Sequence, residues 1–338
     1  MASEAPPFWY QKPGLQAALL SPISWIYGKI ASGRMIKATR RNVDVPVICI
    51  GNFTVGGAGK TPTAIAFAKA ALMRGLKPGI LTRGYGGTAS SPTLVDLSHH
   101  SAKYVGDEPI LLAEVAPTMV SQDRHAGALA LIEHGVDIIL MDDGFQSAHL
   151  WFDYSVLVVD SVRGLGNGKV IPAGPVRAPL RDQMIYAHAL CVIGEGNTAD
   201  SLIRIAARSA KPVYNAVLKS KSGSEFADKK YLAFAGIGDP QKFFTSLGKT
   251  GAKLEITRSF SDHHYYTDDE IDELIALAKK SDLELVTTMK DFVRLQSGLG
   301  KSKEFSEMLK VLDVELVFDD PATSAVIIDR AIKNFKNK

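Results

Sequence analysis

Gly56, Gly57, Gly59, Lys60 and Thr61 stand together in the segment PVICIGNFTVGGAGKTP, residues 46–62. Closely spaced glycines let successive backbone N–H groups turn inward around a phosphate. The helix that follows adds the positive end of its dipole, and a lysine adds a full charge. The residues Thr54, Val55, Gly56, Gly57, Ala58, Gly59, Lys60 and Thr61 therefore read as a nucleotide phosphate loop, with the Thr61 hydroxyl suited to magnesium. The usual pattern has a glycine where this chain has Thr54, so the loop is a variant one.

A second group of polar residues supports the first. The apolar run Val136–Met141 ends in Asp142 and Asp143. Acids at the end of a buried strand, downstream of a phosphate loop, are placed to hold magnesium directly or through water. Asp107 and Glu108, between Gly106 and Pro109, are open to two readings: the acidic first turn of a helix, or carboxylates beside a bound phosphate. Arg83, Tyr85 and three glycines follow the run Pro78–Thr82, where ligands bind in open α/β sheets. The loop Gly164–Pro179, which carries Arg177, is long enough to be functional.

The elements that must position these groups are legible as alternation. Val47–Ile50, Pro78–Thr82, Val136–Met141, Tyr154–Asp160 and Ala187–Ile193 read as strands of one sheet, the last closing it, with helical patterns such as Thr63–Arg74 between them. A polar stretch, residues 219–230, reads as a linker. Beyond it βα alternation restarts over residues 231–320, without a second phosphate loop, and residues 321–338 read as a final helix. Two α/β units follow, residues 43–218 and 231–320, with the cleft between them as the expected place for a second substrate.

Residues 1–42 differ in character. Leu15, Leu19, Ile23, Ile26, Tyr27 and Ile30 recur at helical spacing, Trp9 and Trp25 add aromatics, and Lys29, Arg34, Lys37, Arg40 and Arg41 cluster after them. Such a helix either lies in a membrane surface or packs its stripe on the protein's own core; the pattern leaves both open.

Composition excludes several classes. A net charge of +3 on 338 residues is too small to imply nucleic acid. Cys49 and Cys191 sit in apolar runs, as buried thiols of a reducing compartment do. There is no run of about 18 apolar residues, so no spanning helix is expected. The segment MASEAPPFWYQKPG is unlike a signal peptide, and a cytoplasmic location is expected.

Read together, these segments resemble the tetraacyldisaccharide 4'-kinases of lipid A biosynthesis. The resemblance rests on the phosphate loop, LTRGYGG, GDEP, the Asp123–Arg124 pair, DDGFQ at Asp142–Gln146, GNG at Gly166–Gly168, PAGPVRAP, AFAGIGDPQKFF, FSDHHYYT and TMKDFVRL, which span nearly the whole chain. It implies a P-loop NTPase-like α/β/α domain, a smaller α/β domain and an N-terminal amphipathic membrane-surface helix. It also implies ATP and magnesium as cofactors, a lipid disaccharide 1-phosphate as acceptor, and a peripheral place on the cytoplasmic face of the bacterial inner membrane, whose surface is anionic. No protein partner can be inferred. By the same resemblance Asp107 orients or deprotonates the sugar hydroxyl, assisted by His263, with His264 next in register. Glu108, Asp142 and Asp143 hold magnesium or its waters, and Arg83, Tyr85, Arg124, Gln146 and Arg177 line the nucleotide site. Ala58, Ala178 and Met289 depart from the residues common in that family. A P-loop ATPase switch is the competing function, and the second unit with FSDHHYYT argues against it.

Overall fold

The runs VICIGN, PGILT, IILMD and YSVLVVD are apolar on both faces, which suits strands covered by helices on both sides. In the computed structural model, which describes residues 5–147, 149–221 and 223–338, every residue of these runs is buried. Residues 1–4 of the expected N-terminal segment and Ser222 of the expected linker lie outside the described residues.

In chain order the strands are β1 (Val47–Asn52), β2 (Pro78–Thr82), β3 (Thr93–Leu94), β4 (Thr118–Val120), β5 (Ile138–Asp142), β6 (Tyr154–Asp160), β7 (Ala189–Ile193), β8 (Val213–Ser220), β9 (Lys230–Ala235), β10 (Lys253–Ser259), β11 (Glu284–Thr288), β12 (Lys310–Leu312) and β13 (Val314–Phe318). Among the described residues they form a nine-stranded sheet, β13-β8-β7-β6-β1-β5-β2-β4-β3, and a four-stranded parallel sheet, β10-β9-β11-β12. The large sheet is parallel except at its two edges, where β13 and β3 run antiparallel to their neighbours. β1 lies between β5 and β6, so the order reverses around it. A crevice opens there at the carboxyl ends of the strands.

Two expectations about this sheet are corrected. It does not close at β7. β8 continues it, with a half-buried, partly polar sequence that gives little strand signal, and Lys219 and Ser220, expected in the linker, are its last residues. β13, expected in the smaller unit, returns to pair with β8, from Val314 opposite Ser220 to Phe318 opposite Ala216. The final helix, Thr323–Lys336, follows it back and buries Ile327, Ile328 and Ala331 with Ile48, Phe67 and Val156. Such pairing depends on contacts far apart in sequence, and no local period announces it.

The N-terminal helix α1 (Leu15–Lys37) has an inverted distribution. Ala17, Ser24, Gly28 and Met35 face the protein, while Leu15, Leu19, Ile23, Trp25, Ile26 and Ile30 are more than half exposed. The Ser24 hydroxyl donates to the carbonyl of Val170, which fixes the small face to the long loop. Of the two readings left open by the sequence, packing of the stripe on the core is ruled out. Trp9 and Arg40 also differ from expectation. The Trp9 indole donates to the Pro172 carbonyl, and the Arg40 guanidinium stacks on Phe152 and Tyr186, so neither stands free for a surface.

Candidate active site

The loop after β1 is held in shape by its glycines and by the chain that clasps it. Gly56 and Gly59 have φ of 101° and 98°, and a Cβ on Gly59 would lie 2.6 Å from the Ile193 side chain. Gly59 caps helix α2 (Lys60–Met73), so Lys60 and Thr61 open the helix. The long loop passes over this segment: Val55 donates its N–H to the Pro175 carbonyl at 2.9 Å, and Arg177 Nε donates to the Thr54 carbonyl at 3.0 Å. Ala58 is buried with the sheet core, so at this departure an apolar side chain serves packing. Lys60 Nζ stands 3.7 Å from Asp143 Oδ2.

The two acids after β5 are treated differently. Asp142 is fully buried, and neither carboxyl oxygen has a hydrogen-bond partner. Burial first, then the charge of Glu108, pushes its pKa up to about 7 against the pull of Lys60. Asp143 has a left-handed backbone, φ 54°, a conformation rare outside glycine. This turns its carboxylate to Arg177, which donates to both oxygens at 2.8 and 3.2 Å. Burial would raise its pKa, but Lys60 and Arg177 outweigh it and hold it at about 2. Arg124 is buried and donates to the backbone carbonyls of Ser121 and Asp143. Gln146 donates to the Asn52 carbonyl at 2.8 Å and to Gln183. Arg124 and Gln146 thus brace the site's backbone, whereas Arg83 is exposed and Tyr85 is 66% exposed on the loop after β2.

Magnesium keeps several waters and takes one or two carboxylates together with the phosphates of its nucleotide. Among the described residues no three His, Cys, Asp or Glu side chains gather into a complete cage. An unpartnered buried carboxyl at Asp142, with Glu108 acting on it and Thr61 opening the helix, suits that ion rather than a closed protein site.

The opposite wall is assembled from both units. Asp107 lies in the first turn of helix Asp107–Ala113, presented by Gly106 and by a glycine loop so close that a Cβ on Gly87 would lie 2.6 Å from the Val105 carbonyl carbon. Its Oδ1 accepts the N–H of Glu108 at 2.9 Å; its Oδ2 lies 3.1 Å from His263 Nδ1 and 3.3 Å from Arg294 Nη1. His263, also left-handed at φ 57°, comes from the turn after β10, with its ring 5.2 Å from that of Tyr85. Burial disfavours both charges, but the hydrogen bond between them, with the charges of Lys290, His263 and Arg294 at Asp107 and of Asp107 at His263, prevails: Asp107 is held well below the carboxylate range and His263 above the imidazole range. His264 points away, to Glu270 at 2.9 Å, and Thr267 caps the next helix with Glu270. Of the two neighbouring histidines it is His263 that stands beside Asp107.

Three residues of this wall were missed. Lys290 Nζ is 2.5 Å from Glu108 Oε1, Arg294 faces Asp107, and Asp291 accepts from Gly236 N–H, Tyr266 and Arg294. Their signal was an acid and two cations in one short helix after a buried strand. Met289, beside them, packs against the apolar cluster of Ala102, Val105 and Val293, which spans both units.

Fold and loop together define a P-loop nucleotide-binding protein with a second α/β unit closing on its crevice. The family described as tetraacyldisaccharide-1-P 4'-kinase matches residues 16–333. The tetraacyldisaccharide 4'-kinase of Agrobacterium fabrum is 54% identical over 99% of this chain and 96% of its own length. That of Brucella suis is 52% identical over 100% and 99%. The crystal structure of the apo form of LpxK from Aquifex aeolicus in complex with ATP superimposes with a TM-score of 0.73 at 25% identity, covering 94% of this chain and all of that one. The chain belongs to the tetraacyldisaccharide 4'-kinase family.

Proposed function

We infer that this protein is an ATP-dependent lipid kinase that moves the γ-phosphoryl group of ATP to the 4'-hydroxyl of a tetraacyldisaccharide 1-phosphate, giving the 1,4'-bisphosphate. The observation that carries this reading is the Asp107 carboxylate, ion-paired to His263 of the other unit and next to Glu108, on which Lys60 of the phosphate loop acts.

In the transfer, the acceptor oxygen forms a bond to the γ-phosphorus, the bond from that phosphorus to the β–γ bridging oxygen breaks, and ADP leaves. The acceptor proton goes to the Asp107 carboxylate. Phosphoryl transfer passes through a loose transition state, so alignment and charge matter more than base strength. A carboxylate held below its usual pKa is a weak base but a good aligner. His263 keeps that carboxylate ionised and oriented. The loop N–H groups and Lys60 hold the β- and γ-phosphates, with Arg177 and Asp143 fixing the loop around them. Asp142, Glu108 and Thr61 would hold magnesium, which neutralises phosphate charge when bound.

The acyl chains of such an acceptor stay in a bilayer, and the outward stripe of α1 supplies the contact. Lys29, Arg34, Lys37 and Arg41 beside it suit an anionic surface, each contributing on the order of 1 kcal/mol when close. On this reading the enzyme is held peripherally at the cytoplasmic face of the inner membrane, and no helix among the described residues is long and apolar enough to cross it. The test is incubation with γ-labelled ATP, magnesium and the lipid disaccharide 1-phosphate in micelles. Label should enter the lipid and be lost in Lys60→Ala and Asp107→Ala; label found only in free phosphate would overturn the reading.

A further inference from the structure

Lys290 has no local reason to be where it is. It stands in the first turn of helix Met289–Gln296, where the dipole favours acids over cations. Its ammonium leaves its own unit and meets Glu108 of the other at 2.5 Å. The same charge acts on Asp107 and Asp142. From the loop side, Lys60 acts on Glu108 and Asp142. One ammonium from each unit thus stands among these acids, Lys290 on Glu108 at 2.5 Å and Lys60 at 3.7 Å from Asp143.

The turn that carries Lys290 is rigidly held. Thr288 Oγ1 accepts the Asp291 N–H at 3.1 Å, and Asp291 Oδ1 accepts from Gly236 N–H at 2.9 Å, Tyr266 at 2.7 Å and Arg294 at 2.5 Å. Asp291 is fully buried. Preorganised cations stabilise developing charge most when they need not move to meet it.

We propose that Lys290 is a further catalytic residue, delivered by the smaller unit, whose ammonium contacts the equatorial oxygens of the phosphoryl group in transit from the phosphate loop to the hydroxyl at Asp107. Glu108 holds that ammonium in place when no nucleotide is present. The proposal rests on the kinase reading above. It assigns the smaller unit a share in the transferring charge as well as in orienting the acceptor.

The experiment compares Lys290→Ala with Lys242→Ala, which removes a different ion pair between the units, Lys242 with Asp160 at 2.8 Å. Turnover is measured with labelled ATP and the lipid, and affinity is measured for magnesium-ATP and for magnesium-ADP-fluoroaluminate, a mimic of the group in flight. Lys290→Ala should lower kcat about 10²- to 10³-fold, the usual effect of losing one preorganised transition-state contact. It should keep ATP affinity within a few-fold and lose the extra tightness of the fluoroaluminate complex; Lys242→Ala should leave all three within a few-fold. Equal loss of kcat in the two variants, or equal weakening of both nucleotide complexes in Lys290→Ala, would reduce Lys290 to a strut and overturn the proposal. A wild-type enzyme that labels the lipid beside a Lys290→Ala variant of the same rate sinks this inference alone, whereas a wild type that labels no lipid removes the kinase reading beneath it.

Discussion

The two walls of the crevice are built in opposite ways. The loop wall is contiguous: Thr54 to Thr61 follow one another, and local conformation, two left-handed glycines and a helix start, produces the phosphate cradle. The Asp107 wall is composite. Asp107 and Glu108 come from one unit, His263, Lys290 and Arg294 from the other, and each charge is buried against a partner more than 150 residues away. A nucleotide site can be carried by a short peptide because phosphate needs N–H groups and one cation. An aligned carboxylate in a dry cleft needs countercharges fixed from outside its own helix, because an unpaired buried charge is strongly destabilising.

The sharpest way to break this comparison is at Asp107. Asp107→Asn should lower kcat by about 10²- to 10⁴-fold, the range for a positioned acid–base group. ATP affinity measured by titration should stay near wild type, since the loop wall is intact. His263→Gln should lose less, and the double variant should add little to Asp107→Asn alone, as expected for groups acting as a unit. A large drop in ATP affinity in any of these would mean that the walls are not separable.

A second test concerns which substrate the membrane stripe serves. Ile23→Asp and Ile26→Asp alter side chains 57% and 54% exposed, so folding stability should hold. Binding to anionic vesicles should weaken about 10- to 10²-fold for each, from about 1.5–3 kcal/mol of apolar burial per side chain. The apparent KM for the lipid should rise while that for ATP does not. Vesicle binding unchanged in the double variant would place the membrane contact elsewhere.

The smallest effect is on stability without magnesium, and it distinguishes the two acids of the loop wall. Asp142 is pushed up to about 7, above its unfolded value, so the folded state binds the extra proton and its contribution is present at low pH and lost as pH rises. Thermal midpoints of magnesium-free protein should therefore fall between about pH 4 and 8. Asp142→Asn should flatten that dependence, and saturating magnesium should reduce it by favouring the ionised carboxyl. Asp143→Asn should leave the dependence in place, because Lys60 and Arg177 already keep Asp143 ionised across this window.

Legibility followed the same division. The phosphate loop, the acids after β5 and the alternation of strands and helices could be read directly, because each is a local pattern of glycine, charge or period. Asp107 was singled out beside Glu108 with two readings open; His263 and its pairing with Asp107 came only through resemblance, since their spacing could not have paired them. Nothing local to Arg177 pairs it with Asp143; the left-handed turn at Asp143 brings the two together.

By itself the sequence determined the phosphate loop and its lysine, the buried strands, and the apolar stripe of the first helix, since all of these are properties of neighbouring residues. Tertiary structure decided that the stripe faces outward, that the end of the chain returns to the first sheet, and that His263, Lys290 and Arg294 converge on Asp107 and Glu108. The reason is physical: outward or inward packing, edge pairing and the compensation of buried charge are set by what lies across the fold, and that partner is recorded nowhere in the local pattern.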